Sequence, residues 1–312
     1  MDKQQNILIT GSTGFVGSNV KPYLQEEGFR IIGITRNPTL EYELSYESLT
    51  TEYWNNSFAM LHLAGKAHDV KNTAEDAAYF EVNTELTKRL FNQFLESTCE
   101  VFIYMSSVKA AADTVATILT EDDTPNAITA YGKSKLAAEQ YIFAQNIPKH
   151  KSVFILRPCM IHGPGNKGNL NLLFAMANKG IPYPFGAFHN KRSFLSIDNL
   201  LFVITELITK RPNSSIYNVS DDGFLSTKEV YRTMGEVIAT QLRILNIPKG
   251  LIGLLGKLGD VIPIPINSEK IYKLTENYKV SNAKIKKALE ITKMPMPAKE
   301  GLYKTLKSFK SQ

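Results

Sequence analysis

Over the first 160 residues, short apolar runs alternate with segments whose apolar side chains recur every three or four positions. Residues 6–10, 29–34, 58–63, 101–105 and 153–156 are rich in Ile, Val, Leu and Phe, with few charges inside them. Runs of that kind predict strands covered on both faces. Between them, residues 14–27, 79–97 and 134–145 carry helical spacing. Strand–helix alternation predicts an α/β domain over residues 1–160, a doubly wound parallel sheet with helices on both sides. After residue 160 the texture changes, with Gly163-Pro164-Gly165-Asn166 and Ile181-Pro182-Tyr183-Pro184 interrupting shorter helical patterns. Residues 161–312 therefore predict a smaller, loop-rich region that forms a cleft with the sheet and mainly binds substrate, with the chain free to return to the sheet. Residues 251–266 (LIGLLGKLGDVIPIPI) stand out as strongly apolar yet broken by Lys257, Asp260 and two prolines. A packed helix followed by a substrate-covering loop is the favoured reading, with membrane-surface contact as the alternative.

Composition narrows this little. The 312 residues are 43% hydrophobic and 21% charged, which excludes a disordered chain. Lys and Arg number 36 against 30 Asp and Glu, for a net charge of +6. Lys284, Lys286, Lys287, Lys299 and Lys304 supply much of that excess, and a solvated surface explains them better than nucleic-acid binding. The two cysteines, Cys99 and Cys159, sit in strand-like surroundings and read as reduced thiols, with no Cys/His cluster for a metal. The chain enters a strand at Ile7 and has no apolar run of membrane-spanning length, so the expectation is a cytoplasmic protein.

The first strand runs directly into Thr10-Gly11-Ser12-Thr13-Gly14-Phe15-Val16-Gly17, a G-x-x-G-x-x-G pattern that opens the first helix. Glycines there permit a tight turn, close approach of backbone to a pyrophosphate, and tight helix–strand packing. The helix N-terminus then faces the phosphates, which gives a Rossmann-type dinucleotide site. Dinucleotide-binding strands of this type usually present, about 20 residues on, a carboxylate that holds the adenosine ribose. That slot holds Thr35 followed by Arg36. With no acid to repel a 2′-phosphate and a guanidinium to grip it, NADP(H) is favoured, with NAD(H) as the alternative.

Tyr131 and Lys135, in Tyr131-Gly132-Lys133-Ser134-Lys135, are four apart at a helix start and so share a face. A tyrosine titrates near 10. A neighbouring ammonium and a positive nicotinamide ring would pull that value down and make it an acid/base. Lys135 can also reach the nicotinamide ribose. Ser106 and Ser107 end the strand at residues 101–105, where one hydroxyl can steady a developing oxyanion.

Together these motifs resemble the extended short-chain dehydrogenase/reductases of the nucleotide-sugar epimerase/dehydratase family, over nearly the whole chain. His62-Leu63-Ala64-Gly65 resembles the family's strand-four turn on the adenine side, Val82-Asn83 its helix asparagine, and Leu156-Arg157-Pro158 followed by Ile161-His162-Gly163-Pro164-Gly165 its RP and YGPG signatures. The resemblance implies Tyr131 as acid/base, Lys135 as its partner and Ser107 as the third member of a triad. Ser106 and Pro158 would line the nicotinamide, and Leu63, Ala64, Gly65 and Asn83 would border the cofactor. Asn169 and Arg192 would hold a nucleotide diphosphate, His68 could face the sugar, and Lys273 could stand in for a second diphosphate-binding arginine. Departures are His162 in place of a tyrosine, and a short 36–58 segment whose nearest adenine-side candidate is Glu43-Leu44-Ser45.

Within the family the resemblance is to bacterial reductases of UDP-2-acetamido-2,6-dideoxy-4-hexulose. It implies NADP(H)-dependent reduction of a C4 ketone for surface polysaccharide, on a UDP-linked substrate, in a protein able to homodimerise. The alternatives are a UDP-sugar 4-epimerase with tightly held NAD and, as a third class, a non-catalytic NADP sensor.

Overall fold

The computed structural model describes residues 5–66, 76–166, 168–262 and 267–310. The described residues form nine strands: β1 (Asn6–Thr10), β2 (Arg30–Ile34), β3 (Glu43–Leu44), β4 (Ala59–His62), β5 (Val101–Met105), β6 (Ser152–Pro158), β7 (Met160–His162), β8 (Phe194–Ser196) and β9 (Ser215–Val219). Seven form one sheet in the order β3-β2-β1-β4-β5-β6-β9, with every pairing parallel. Each apolar run is a strand because both of its faces are covered. Ile7 and Ile9 of β1 enter one core, with the helices Phe15–Glu26 and Ile197–Lys210. Leu8 enters the other, with Trp54 and the helices Leu86–Glu96 and Ala130–Ala144. In that second core Phe102 lies 5.1 Å from Phe91 and 5.2 Å from Phe94, ring centre to ring centre.

The chain runs outward from β1 through β2 to β3 and then crosses back to β4 on the other side of β1. At such a reversal the loops after the two adjacent strands diverge and leave a crevice at their carboxyl ends. The glycine-rich loop after β1 and the turn after β4 both border that crevice.

The C-terminal region has its own apolar core, built on Leu173, Phe174, Tyr183, Tyr231, Met234 and Leu302. The short parallel pair β7–β8 leads toward it, and the chain then returns to the sheet through Ile197–Lys210 and β9. Four of the five C-terminal lysines singled out above are engaged within the fold. Lys284 stands over the Tyr217 ring at 5.6 Å, Lys286 pairs with Asp222 at 2.7 Å, Lys299 pairs with Glu236 at 3.1 Å, and Lys304 pairs with Asp198. Cys99 and Cys159 are free and buried. No described helix is long and apolar enough to cross a membrane, and the described residues contain no cluster of metal-ligating side chains.

Candidate active site

The loop after β1 is shaped by what a side chain would hit. Gly11 has φ +67°, and a Cβ there would lie 2.8 Å from the backbone nitrogen of Ala64. A Cβ at Gly17 would lie 2.3 Å from the Gly11 carbonyl oxygen. The first helix therefore starts directly under the loop. Its first turn carries no acidic residue, and its N-cap is Gly14. This cradle suits a pyrophosphate at a 12-residue helix N-terminus. Thr13 is exposed on the loop, while Phe15 and Val16 are half-buried behind it. Asn19 bonds the carbonyls of Phe15 at 2.8 Å and Pro164 at 3.3 Å, tying this helix to the Gly163-Pro164-Gly165 turn.

At the end of β2, Arg36 is exposed. The nearby Glu43 carboxylate accepts from the backbone of Thr39 at 3.0 Å and Leu40 at 3.3 Å, and those bonds hold it below the usual carboxylate range despite its burial. It is committed to its own turn. Burial raises the Tyr46 phenol, against the pull of Arg36 and Arg89 and with a smaller push from Glu47, so charges of both signs gather at this strand end.

The turn after β4 is held by a chain of hydrogen bonds. The Thr87 hydroxyl donates to the Asn83 carbonyl at 2.7 Å, so it accepts from His62 Nε2 at 2.9 Å. His62 Nδ1 is then the acceptor for Thr10 Oγ1 at 2.6 Å, and Thr10 Oγ1 accepts from the Ala64 amide at 3.1 Å. Burial drives His62 down to about 3, so this imidazole is neutral and structural. Asn83 lies in a π-helical turn, Glu81–Glu85, that interrupts the helix expected over residues 79–97. Its side chain accepts from Lys66 N at 2.8 Å and donates to Lys66 O at 3.1 Å and to Ser134 Oγ at 3.0 Å. Its polar atoms thus pin the backbone after Leu63, Ala64 and Gly65 to the helix that carries Tyr131.

That helix, Ala130–Ala144, is capped by Thr129. Asp113 accepts from the amides of Ile128 at 2.6 Å and Thr129 at 3.0 Å, which fixes the helix start. Gly132 sits against the Lys109 carbonyl, where a Cβ would come within 2.4 Å. Tyr131 and Lys135 lie one turn apart on this helix, and Ser107 interacts with Tyr131. Ser107 hydrogen-bonds Tyr131, which pulls the phenol down, but burial outweighs this and raises it above its ordinary value. The expectation that the Lys135 ammonium would lower Tyr131 does not hold in the protein alone. Lys135 instead donates to the Met105 carbonyl at 2.7 Å and stands over the Tyr104 ring at 4.8 Å. Burial brings it down to about 7, against the pull of Glu139. A Cβ on Gly65 would be 2.9 Å from Lys135 Nζ, so the glycine leaves room for that ammonium at the crevice.

Beneath them is an arrangement that sequence reasoning missed. Glu139 and Arg157 form an ion pair, 1% and 2% exposed, with Arg157 Nε 3.0 Å from one carboxylate oxygen. The Ser106 hydroxyl donates to the same carboxylate rather than standing free. Pro158 ends β6 and is buried. The signal for the pair was in Leu156-Arg157-Pro158, but its partner lies 18 residues earlier on another element.

Arg192 and Lys273 also meet. Arg192 donates to the Lys273 carbonyl at 2.5 Å and lies 3.5 Å from Glu276. The Lys273 ammonium itself pairs with Glu269 at 2.5 Å on the surface. Lys109, overlooked in the sequence, joins them. It donates to the Asp113 carbonyl at 2.7 Å and stands over Tyr278 at 4.4 Å. Burial lowers Lys109 and Arg192, with Glu276 opposing both shifts. Burial raises Glu276, against the pull of Arg192, Lys109 and Lys273. Lys109, two residues beyond Ser107, and Arg192 thus face Glu276 in a half-buried cluster, with Asp113 also acting on Lys109 and Glu276. Asn169 is exposed at the start of the helix Asn169–Asn178, and no hydrogen bond ties it to this cluster among the described residues. His162 is buried and bonds Thr305 at 2.8 Å, in the C-terminal core. His68 lies outside the described residues.

Residues 7–220 match the model of the NAD dependent epimerase/dehydratase family. The chain belongs to that family. A UDP-glucose 4-epimerase of Vibrio cholerae is 30% identical over 98% of this chain and 95% of its own. An N-acetyl-alpha-D-glucosaminyl-diphospho-ditrans,octacis-undecaprenol 4-epimerase of Escherichia coli O157:H7 is 23% identical over 90% of this chain and 85% of its own. The structure of MoeE5 in complex with UDP-glucose and NAD superposes with a TM-score of 0.77, at 20% identity, over 98% of this chain and 99% of that one. The fold expectation of a Rossmann-type parallel sheet is met, and the chain is an NAD(P)-dependent enzyme of the epimerase and reductase kind.

Proposed function

We propose that this enzyme is an NADP(H)-dependent reductase of the C4 ketone of a nucleotide-activated 6-deoxy sugar, with UDP-2-acetamido-2,6-dideoxy-4-hexulose as the best fit. The observation that carries the cofactor choice is the end of β2. Arg36 is exposed there, and the Glu43 carboxylate on β3 is occupied by the Thr39–Leu40 turn. A guanidinium at the strand end, in the slot where a ribose-binding carboxylate would otherwise stand, favours a 2′-phosphate.

The glycine cradle and the first helix would take the pyrophosphate, and Lys135 the nicotinamide ribose. When bound, the reduced nicotinamide supplies the hydride that C4 accepts. Tyr131 gives its proton to the C4 oxygen, and Ser107 hydrogen-bonds that oxygen as charge develops on it. A phenol that burial keeps protonated is already in the state a reduction needs. An oxidation-first reaction would need the phenolate. Arg192, with Lys109 and Lys273 around it, would hold the diphosphate of the substrate, displacing Glu276 from its cation. A second reading, a UDP-sugar 4-epimerase that retains NAD, is supported by the Vibrio cholerae relative. The same residues would present a sugar on a polyprenyl diphosphate, the kind of substrate named for the Escherichia coli relative.

Arg36→Ser tests the cofactor reading. It should raise the KM for NADPH about tenfold or more and leave that for NADH unchanged, since one charged bidentate contact is worth roughly 1.5–3 kcal/mol. Equal effects on both cofactors would remove the argument.

A further inference from the structure

Tyr131, Lys135 and Glu139 stand four apart along the helix Ala130–Ala144, so all three share one face. Tyr131 and Lys135 carry the chemistry proposed above. Glu139 is buried, and that chemistry makes no use of it.

The end of β5 meets this face residue by residue. Lys135 donates to the Met105 carbonyl at 2.7 Å, and the next residue, Ser106, donates its hydroxyl to the Glu139 carboxylate. The Ser106 amide donates in turn to the Leu156 carbonyl at 2.8 Å. Ser107, one residue on, hydrogen-bonds Tyr131. From its far side Glu139 is held by Arg157 of β6, whose Nε lies 3.0 and 3.1 Å from the two carboxylate oxygens.

The other titratable groups around Lys135 offer it no negative charge. Its ammonium stands over the ring of Tyr104 of β5, a phenol that burial keeps protonated. His62 of β4 is neutral, and burial raises Tyr131 on the same helix. Arg157 is engaged with Glu139. Among the described residues Glu139 is thus the one anion that acts on Lys135, opposing the burial that lowers the amine. A buried ammonium tends to lose its proton, and an opposite charge nearby favours keeping it.

We propose that Glu139 is a positioning residue for the reaction: it holds the Met105–Ser106 strand end to which Lys135 donates, and its negative charge stabilises the Lys135 ammonium. The inference rests on Tyr131 and Lys135 being the catalytic pair, and holds for reductase and epimerase alike.

Two readouts test it. With lysine carrying 13C at Cε, the Lys135 resonance is the one missing from Lys135→Met, and its midpoint should lie at about 7. Glu139→Gln should move that midpoint down by at least about one pH unit. With NADPH and a UDP-4-keto-6-deoxy-N-acetylhexosamine, kcat of this variant should then fall about fivefold at pH 7 but only about twofold at pH 6, with KM little changed. Damage to the fold alone would not be relieved by acid. Because Glu139→Gln leaves Arg157 unpaired, Glu139→Gln/Arg157→Met, which removes both buried charges, is measured beside it and should move the midpoint in the same direction. An unmoved midpoint in both variants, with only Tm changed, overturns the proposal and leaves Glu139 a structural residue. Full turnover by Lys135→Met would instead overturn the catalytic pair, and with it this role, even if the resonance moved.

Discussion

Lys135 carries a stability cost that its removal should expose. Its amine is 4% exposed and burial lowers it from 10.5 to about 7. In the unfolded chain the lysine is charged at neutral pH, whereas in the fold the charged form is disfavoured. The sign follows directly. Above the unfolded value both states are neutral and nothing is lost; as pH falls toward 7 the unfolded state takes up the proton first, and the fold is penalised. At about 1.4 kcal/mol per pKa unit this comes to on the order of 4 kcal/mol at pH 7. Lys135→Met removes that penalty but orphans the Met105 carbonyl, which costs about 1–3 kcal/mol. The net expectation is a variant more stable by about 2 kcal/mol at pH 7, a rise in Tm of roughly 3 °C for a chain of this length. The advantage should vanish by pH 10, while activity falls at least a hundredfold. Thermal unfolding of both proteins at pH 7 and pH 10 checks it. A variant that is destabilised equally at both pH values would refute the reasoning, because burial would then not be what sets the state of Lys135.

Gly17→Ala should weaken cofactor binding more than tenfold, since its Cβ would lie 2.3 Å from a backbone oxygen that cannot yield without moving the loop; titration of NADPH by fluorescence reads this. Tyr131→Phe should lower kcat by about a hundredfold to ten-thousandfold with little change in KM, as expected for loss of a proton donor. Lys109→Met should raise the KM for the diphospho-sugar about tenfold and leave the affinity for NADPH unchanged. A matching fall in NADPH affinity would place Lys109 outside the proposed diphosphate cluster.

The strands of the sheet were legible because burial on both faces writes them as unbroken apolar runs. The two-residue β3 was not legible, since Glu43–Leu44 carries no such run, and neither was β9, where Asn218 interrupts the apolar residues. The π-helical turn at Glu81–Glu85 leaves no trace in side-chain spacing, because it is a backbone adjustment made to place Asn83. The glycine loop and the Tyr131–Lys135 pair were readable because their geometry is local, set by one turn or one helix face. Lys109, Glu276 and the Glu139–Arg157 pair acquire meaning only when distant elements meet. The direction in which Tyr131 shifts depends on burial, which spacing alone does not report. The 251–266 segment looked apolar for packing reasons, yet four of its leucines face outward.

The most direct test of the reductase reading is to supply the purified enzyme with a UDP-4-keto-6-deoxy-N-acetylhexosamine and follow NADPH and NADH consumption in parallel. The account predicts stoichiometric oxidation of NADPH, with NADH much slower. Consumption of neither, with tightly bound NAD released on denaturation, would contradict it and point to the epimerase.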